Sequence, residues 1–235
     1  MKRYALPWVT ILTIVMTAGG VRAQTPQSES SLLVEIALPA LIERLYDSHP
    51  LVRQQAIYAI SELGPAAKSA IPALAERLRD TDAYIAIDAS KALEIVGPAA
   101  VPSLMPLLWD ENPLVRRLAV RTLKRIGPDA NAAIPALTER LGDCDVLVRQ
   151  EAIYAIEKMG PEAKSAIPAL AEVLRDPDGL VASDASHALE KLGPNAVPSL
   201  VPLVRDIDPM VRRRALGTLQ HIAGESALSV SNGIR

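Results

Sequence analysis

Phenylalanine is absent from the 235 residues, and beyond the N-terminus only Trp109, Tyr46, Tyr58, Tyr84 and Tyr154 supply aromatic area. Any core is therefore built from Ala, Leu, Ile and Val, which is easiest where helices approach closely. Cysteine occurs once, as Cys144, so no internal disulfide can form. A positive excess is missing as well. Lys and Arg number 25 against 27 Asp and Glu, and residues 1–23 hold three of the cations and no acid, leaving 22 against 27 beyond them. That balance excludes a general nucleic-acid binder, which needs a basic surface to displace counterions from phosphates. His49, His187 and His221 fall in no ligand spacing, no His-Glu pair occurs, and no glycine-rich phosphate loop is present. Neither a metal nor a cofactor is expected.

Proline, by contrast, is abundant: 19 residues, where about 5% of a chain is usual. Disorder does not explain this, because 49% of the residues are hydrophobic. Regular placement does. Leu38-Pro39-Ala40-Leu41, Ile71-Pro72-Ala73-Leu74, Val101-Pro102-Ser103-Leu104, Ile134-Pro135-Ala136-Leu137, Ile167-Pro168-Ala169-Leu170 and Val197-Pro198-Ser199-Leu200 are six copies of one opening, spaced 33, 30, 33, 33 and 30 residues apart. The longer links carry three extra residues, Lys68-Ser69-Ala70, Asn131-Ala132-Ala133 and Lys164-Ser165-Ala166. A shift of 96 superimposes the first three units on the last three, and residues 71–100 differ from 167–196 at ten of 30 positions. Duplication on this scale marks the unit as structural, since a nucleophile or metal site is rarely needed in every copy.

Each unit reads as helix, turn, helix. Proline suits the first turn of a helix, where a missing N–H costs nothing, and Asp80 to Asp82 offers a turn and an N-cap. In the second helix Val52, Ala56, Ala59, Ile60 and Leu63 form one apolar face. Gly64-Pro65 then stops it, as do Gly97-Pro98, Gly127-Pro128, Gly160-Pro161 and Gly193-Pro194. A two-helix unit of this size cannot bury its own apolar face, so neighbours must stack. The expected fold is all-α: an α-solenoid, a right-handed superhelix of stacked helical hairpins. Its six units lie near residues 31–66, 67–98, 99–129, 130–162, 163–194 and 195–224, followed by a C-terminal tail, 225–235. Ahead of them, Met1-Lys2-Arg3, an apolar run and Val21-Arg22-Ala23 read as a signal peptide, 1–23, cleaved before Gln24, with a polar linker over 24–30. Export to a periplasmic or extracellular location follows, with membrane association only if that segment stays uncleaved.

The units resemble HEAT repeats, in particular the short HEAT-like class also found in phycobilisome lyases. The likeness rests on the Ile-Pro-x-Leu opening, the Asp-x-x-x-x-Val-Arg link (Asp47 to Arg53, Asp110 to Arg116, Asp143 to Arg149, Asp206 to Arg212) and the Ile/Leu-Gly-Pro ending, and covers residues 31–224. It implies a binding scaffold, with an accessory, lyase-like role as the alternative. It also implies that Arg53, Arg116, Arg149 and Arg212 pair with loop aspartates of their own or an adjacent unit. Units two and five carry Ile85-Ala86 and Val181-Ala182 instead, so this ladder of Asp47, Asp110, Asp143 and Asp206 should be interrupted twice.

Function is expected on the second helices, whose outward positions vary while the core does not. One column is Tyr58, Lys91, Arg121, Tyr154, His187 and Gly217. The third unit concentrates Arg117, Arg121, Lys124 and Arg125 on one helix of an acidic protein, a patch suited to an acidic segment of a partner protein or peptide, flanked by Tyr58 and Tyr154. The alternative is a solvated charged face. Asp184, Ser186 and His187 are too close along one helix to converge as a triad, and Cys144 is expected in a turn, partly exposed. No catalytic residue is assigned.

Overall fold

A computed structural model of the protein describes residues 26–232, with the side chains of residues 34–224. The signal segment and its cleavage site lie outside the described residues, as do the side chains of the tail. Helix is the only regular structure among the described residues, arranged as six consecutive pairs. These are α1 (Pro26–Arg44) with α2 (Pro50–Leu63), α3 (Ile71–Arg77) with α4 (Ala83–Val96), and α5 (Val101–Leu104) with α6 (Pro113–Ile126). They continue with α7 (Ile134–Arg140) and α8 (Val146–Met159), α9 (Ile167–Glu172) and α10 (Gly179–Leu192), and α11 (Val197–Leu200) and α12 (Pro209–Asn232). The even-numbered helices pack side by side in chain order, and each odd-numbered helix lies against the even-numbered helix of its own unit. This is a two-layered α-solenoid.

The missing phenylalanine is accounted for by the packing. Ala56, Ala89, Ala119, Ala152, Ala185 and Ala215 occupy one position of all six inner helices, and every one is buried. Small residues at that column let the inner helices close on one another, and leucines such as Leu74, Leu104, Leu137 and Leu170 fill the seam to the outer layer. Ile57 is also fully buried, so the apolar arc of α2 is wider than the single stripe expected. An inner helix contacts a neighbour on each side as well as its own outer helix, and one stripe would not cover three contacts. Ser90 and Thr122 are buried between α4 and α6, where their hydroxyls bond each other at 3.0 Å and Thr122 also donates to the Leu118 carbonyl.

Proline sits in the first turn of α3, α5, α7, α9 and α11, as the sequence predicts. The first unit departs from the pattern. Its helix begins at Pro26, so Pro39 lies inside α1, and the polar stretch expected as a linker is helical from that residue onward. No Gly-Pro stop precedes the first unit, so nothing resets the chain before Leu38. Pro106 and Pro202 each follow the opening proline by four residues and cut α5 and α11 to four residues, with 3-10 turns completing the outer layer at Met105–Trp109 and Val201–Arg205. The three-residue insertions lengthen the 3-10 links Gly64–Ala70, Gly127–Ala133 and Gly160–Ala166, against Pro98–Ala100 and Gly193–Ala196 in the shorter units. At the stop itself Gly127 adopts φ 76 and ψ −142, a conformation closed to side chains, which turns the chain sharply enough for Pro128 to start the link. Among the described residues no single helix is long and apolar enough to cross a membrane.

Candidate functional site

Two surfaces carry organised polar chemistry: the loop edge, which joins unit to unit, and the outward face of the inner helices. On the loop edge each unit passes from its outer to its inner helix through the same kind of turn. The first loop aspartate accepts a bond from the backbone N–H two residues on, as Asp80 does from Asp82 and Asp143 from Asp145. The residue at that second place then caps the inner helix, with Asp82, Asn112, Asp145, Asp178 and Asp208 accepting from N–H groups of the first turn. His49 holds this place in unit one and makes no side-chain cap.

The link arginines cross from one unit to the next. Arg116 donates from Nε and Nη2 to the two carboxylate oxygens of Asp143, at 2.8 and 2.7 Å, and from Nη1 to the carbonyls of Asp110 and Glu111 in its own loop. Arg53 makes the same fork on Asp80, and Arg149 on Asp176. Of the two pairings the resemblance allowed, the structure therefore has the adjacent-unit one. Among the described residues Arg212 bonds only the carbonyls of Asp206 and Ile207, and the Asp47 carboxylate accepts only from His49 N–H while its carbonyl accepts from Arg53. The expected double interruption does not occur. Where units two and five lack the link arginine, Arg79 and Arg175 at the end of the outer layer reach across to Asp110 and Asp206. The replacement is more exposed, with 51% of the Arg79 side chain accessible against 8% for Arg116.

Burial pushes the carboxyls of Asp80 and Asp143 up, but the arginine forks, the backbone N–H groups of Asp82 and Asp145 and the nearby charges outweigh it and hold both below the usual range. A carboxyl whose pKa is lower in the folded state contributes stability above its unfolded pKa, near 3.9, and loses it as pH falls through the lower folded value. The expected melting temperature is level above about pH 5 and falls progressively below about pH 4. A thermal melt series from pH 7 to pH 2 checks this, and an Asp80→Asn, Asp143→Asn variant, starting less stable, should show a shallower acid limb.

On the inner-helix face the predicted column divides into satisfied and unsatisfied groups. Tyr58 and Gln54 both donate to Asp88 Oδ2 at 2.9 Å, and Lys91 pairs with Asp88 Oδ1 at 3.0 Å. The duplicated block repeats the arrangement, with Gln150 donating to Asp184 at 2.9 Å and Tyr154 hydrogen-bonded to the same carboxylate. Burial and the bond to Asp184 push the Tyr154 phenol up to about 12. Lys124 pairs with Glu151 and lies 5.5 Å from the Tyr154 ring centre. Tyr58, Lys91, Tyr154 and Lys124 thus hold their neighbours. His187 and His221 both turn toward Glu190, at 3.8 and 2.8 Å.

Arg117, Arg121 and Arg125 are different. None makes an ion pair or side-chain hydrogen bond, although Arg117 and Arg121 are half-buried on α6 between Tyr58–Asp88 and Tyr154–Asp184. Glu94 on α4 faces them, where burial pushes its carboxyl up and the charges of Arg125, Arg121, Lys91 and Lys124 pull it back only partly. Positions four residues apart on a helix rise about 6 Å along its axis. Side chains on one face of an extended peptide recur at about 6.6 Å. Three forks so spaced match alternate carboxylates of one extended segment.

Asp184, Ser186 and His187 do not converge: Asp184 takes Gln150 and Tyr154, Ser186 bonds the Ala182 carbonyl, and His187 faces Glu190. Cys144 is exposed beside Arg116 and Asp143, as its turn position suggests. Among the described residues no group of three His, Cys, Asp or Glu side chains is placed to hold a metal ion. The stacked hairpins and their arginine forks describe a helical-repeat scaffold, and a family profile for HEAT repeats matches residues 14–94, 72–157, 101–190 and 167–230. The chain belongs to the HEAT-repeat family. Among solved structures it is similar to the CpcE–CpcF phycocyanin lyase complex of Nostoc sp. PCC7120, at 24% identity over 64% of this chain and 98% of that one, with a TM-score of 0.51. A computationally designed armadillo repeat protein for modular peptide recognition is 20% identical over 78% of this chain and 99% of that one, TM-score 0.50. An engineered protein is 21% identical over 92% of this chain and 68% of that one, TM-score 0.51. At these identities the likeness concerns the fold. Comparison with curated proteins by sequence gives no match.

Proposed function

We propose that the protein is an exported, non-catalytic scaffold that binds an acidic segment of a partner protein or peptide along α6. The observation that carries this reading is the trio Arg117, Arg121 and Arg125, which make no ion pair or side-chain hydrogen bond while Lys91 and Lys124 beside them are engaged. Arg117 and Arg121 are half-buried and Arg125 is exposed, with Glu94 the acid facing Arg121 and Arg125, so a ligand that brings carboxylates supplies the bidentate partners these groups lack. Elsewhere on the inner face Gln54, Tyr58 and Asp88, and likewise Gln150, Tyr154 and Asp184, are tied to one another, which supports display rather than chemistry. A lyase-like role gains nothing from the site, where no acid, base and nucleophile meet.

The test is calorimetric titration with an acetylated and amidated Gly-Glu-Ser-Glu-Ser-Glu-Gly peptide, using the protein and an Arg117→Glu, Arg121→Glu, Arg125→Glu variant shown by circular dichroism to be folded. Export is supported by residues 1–23, with their basic start, apolar run and small residues before Gln24. N-terminal sequencing of the protein recovered from its natural cell envelope is expected to begin at Gln24. A sequence beginning at Met1 contradicts cleavage and leaves the apolar segment as an anchor.

A further inference from the structure

The loop edge carries a second repeated device, present at two junctions and left open at a third. At the first junction Arg77 lies over the Tyr46 ring, 4.8 Å from its centre, and the Tyr46 hydroxyl donates to Glu76 at 2.8 Å. Sixty-three residues on, Arg140 lies 5.4 Å from the centre of the Trp109 ring, whose Nε1–H donates to Glu139 at 3.2 Å. Each ring fills the step between its own unit and the next. Between units four and five the aromatic position falls on Gly142 and the arginine position on Val173, whereas the carboxylate position keeps Glu172. Both members of the stack have changed together and their hydrogen-bond acceptor has stayed.

The backbone does not demand glycine there. Gly142 has no positive φ, and a Cβ added to it would meet only the Glu139 carbonyl oxygen, at 3.8 Å. What the glycine leaves is a groove with apolar walls at Leu141, Ala169, Val173 and Pro177, lined also by the paired side chains of Arg149 and Asp176 and by Arg175 and Glu172. Glu172 is held by Arg175 yet remains 67% exposed, so its carboxylate can accept a further bond.

We infer that this groove is a docking slot for a tryptophan or tyrosine side chain of a partner polypeptide, its ring against Val173 and Ala169 and its N–H or O–H donating to Glu172. The chain supplies the template, because its own Tyr46 and Trp109 occupy the equivalent steps and donate to the equivalent carboxylates. Arg149 and Arg175 in the lining are already engaged by Asp176 and by Glu172 and Asp206, whereas Asp145 and Asp178, the helix caps adjoining Asp143 and Pro177 of the lining, bond no cation, so the fitting partner carries Lys or Arg next to its aromatic residue. In a second copy of this chain Tyr46 and Trp109 are already bonded to Glu76 and Glu139 and are not free to enter the slot. The slot is on the loop edge and does not depend on the reading of α6.

The experiment titrates the protein with acetylated, amidated Lys-Trp-Lys, Lys-Phe-Lys and Lys-Ala-Lys, following backbone amide shifts. Lys-Trp-Lys is expected to give saturable shifts at Gly142 and Val173, Lys-Phe-Lys to bind several-fold more weakly for want of a donor, and Lys-Ala-Lys to give none. Closing the slot with Gly142→Tyr and Val173→Arg should weaken Lys-Trp-Lys at least tenfold while the melting temperature stays at or above that of the parent. Glu172→Ala, which leaves the walls in place, should bring Lys-Trp-Lys down to the level of Lys-Phe-Lys and leave the latter unchanged. Absence of saturable shifts at Gly142 and Val173 overturns the proposal, as do shifts unaffected by both variants. Sedimentation showing that Gly142→Tyr, Val173→Arg dissolves a self-association also overturns it, in favour of a second copy as occupant.

Discussion

Replacing Asp143 with alanine is expected to lower stability by about 3–5 kcal/mol, the cost of leaving a buried charge without its partner. Arg116 and Asp143 have only 8% and 2% of their side chains exposed. Without the carboxylate, Arg116 keeps its bonds to the Asp110 and Glu111 carbonyls, so it stays in place and faces an emptied site. Arg140 loses its contact with the same carboxylate. The matched control is Arg79→Ala, which removes the substitute rung between units two and three. Arg79 is half exposed, and such pairs contribute about 0–1 kcal/mol. Because each unit of a repeat array contacts only its neighbours, the Asp143→Ala loss falls on one junction. Urea denaturation measures both variants, and hydrogen exchange should show the halves on either side of the unit three–four boundary beginning to open separately. Equal effects from the two substitutions would mean that burial does not set the strength of the forks.

Reversing Arg117, Arg121 and Arg125 to glutamate should weaken binding of the alternating-glutamate peptide by at least 100-fold. Hydrogen bonds between charged groups contribute about 1.5–3 kcal/mol each, and even two such contacts exceed the roughly 2.8 kcal/mol that a 100-fold change requires. Reversal also adds repulsion beside Glu94. The affinity of the unaltered protein should fall as salt rises, since the guanidinium groups are partly exposed and the attraction is screened. Lys124→Ala is expected to have a much smaller effect, because Lys124 is already paired with Glu151.

Much of the architecture was legible from the chain because the repeat states it six times. The proline openings, the Gly-Pro stops and the three-residue insertions all correspond to observed features, and each is a backbone constraint that acts locally. The start of α1 was not legible, since helix formers continue upstream of Leu38 and only a preceding stop would have broken them. The ladder was half legible. Its arginines stand in a recurring pattern, but whether they reach their own loop or the next depends on the inter-unit step, a distance no spacing encodes. Arg79 and Arg175 sit seven positions before the place the missing arginines would hold, and only the fold brings them to Asp110 and Asp206. A signal did exist, since both lie where Tyr46 and Trp109 lie in other units. On the inner face the sequence singled out the variable column by its change of residue from unit to unit. It did not show that Asp88 and Asp184, from the turn before, bind Tyr58 and Tyr154 across a helix boundary, while Arg117, Arg121 and Arg125 of the third unit make no ion pair.

The most direct measurement is backbone amide mapping of the protein during titration with the Gly-Glu-Ser-Glu-Ser-Glu-Gly peptide. The account predicts saturable shifts concentrated from Arg117 to Arg125 on α6 and at Glu94 on α4, abolished in the charge-reversed variant. Saturable shifts placed elsewhere and retained by that variant, or no shifts at all, would contradict it.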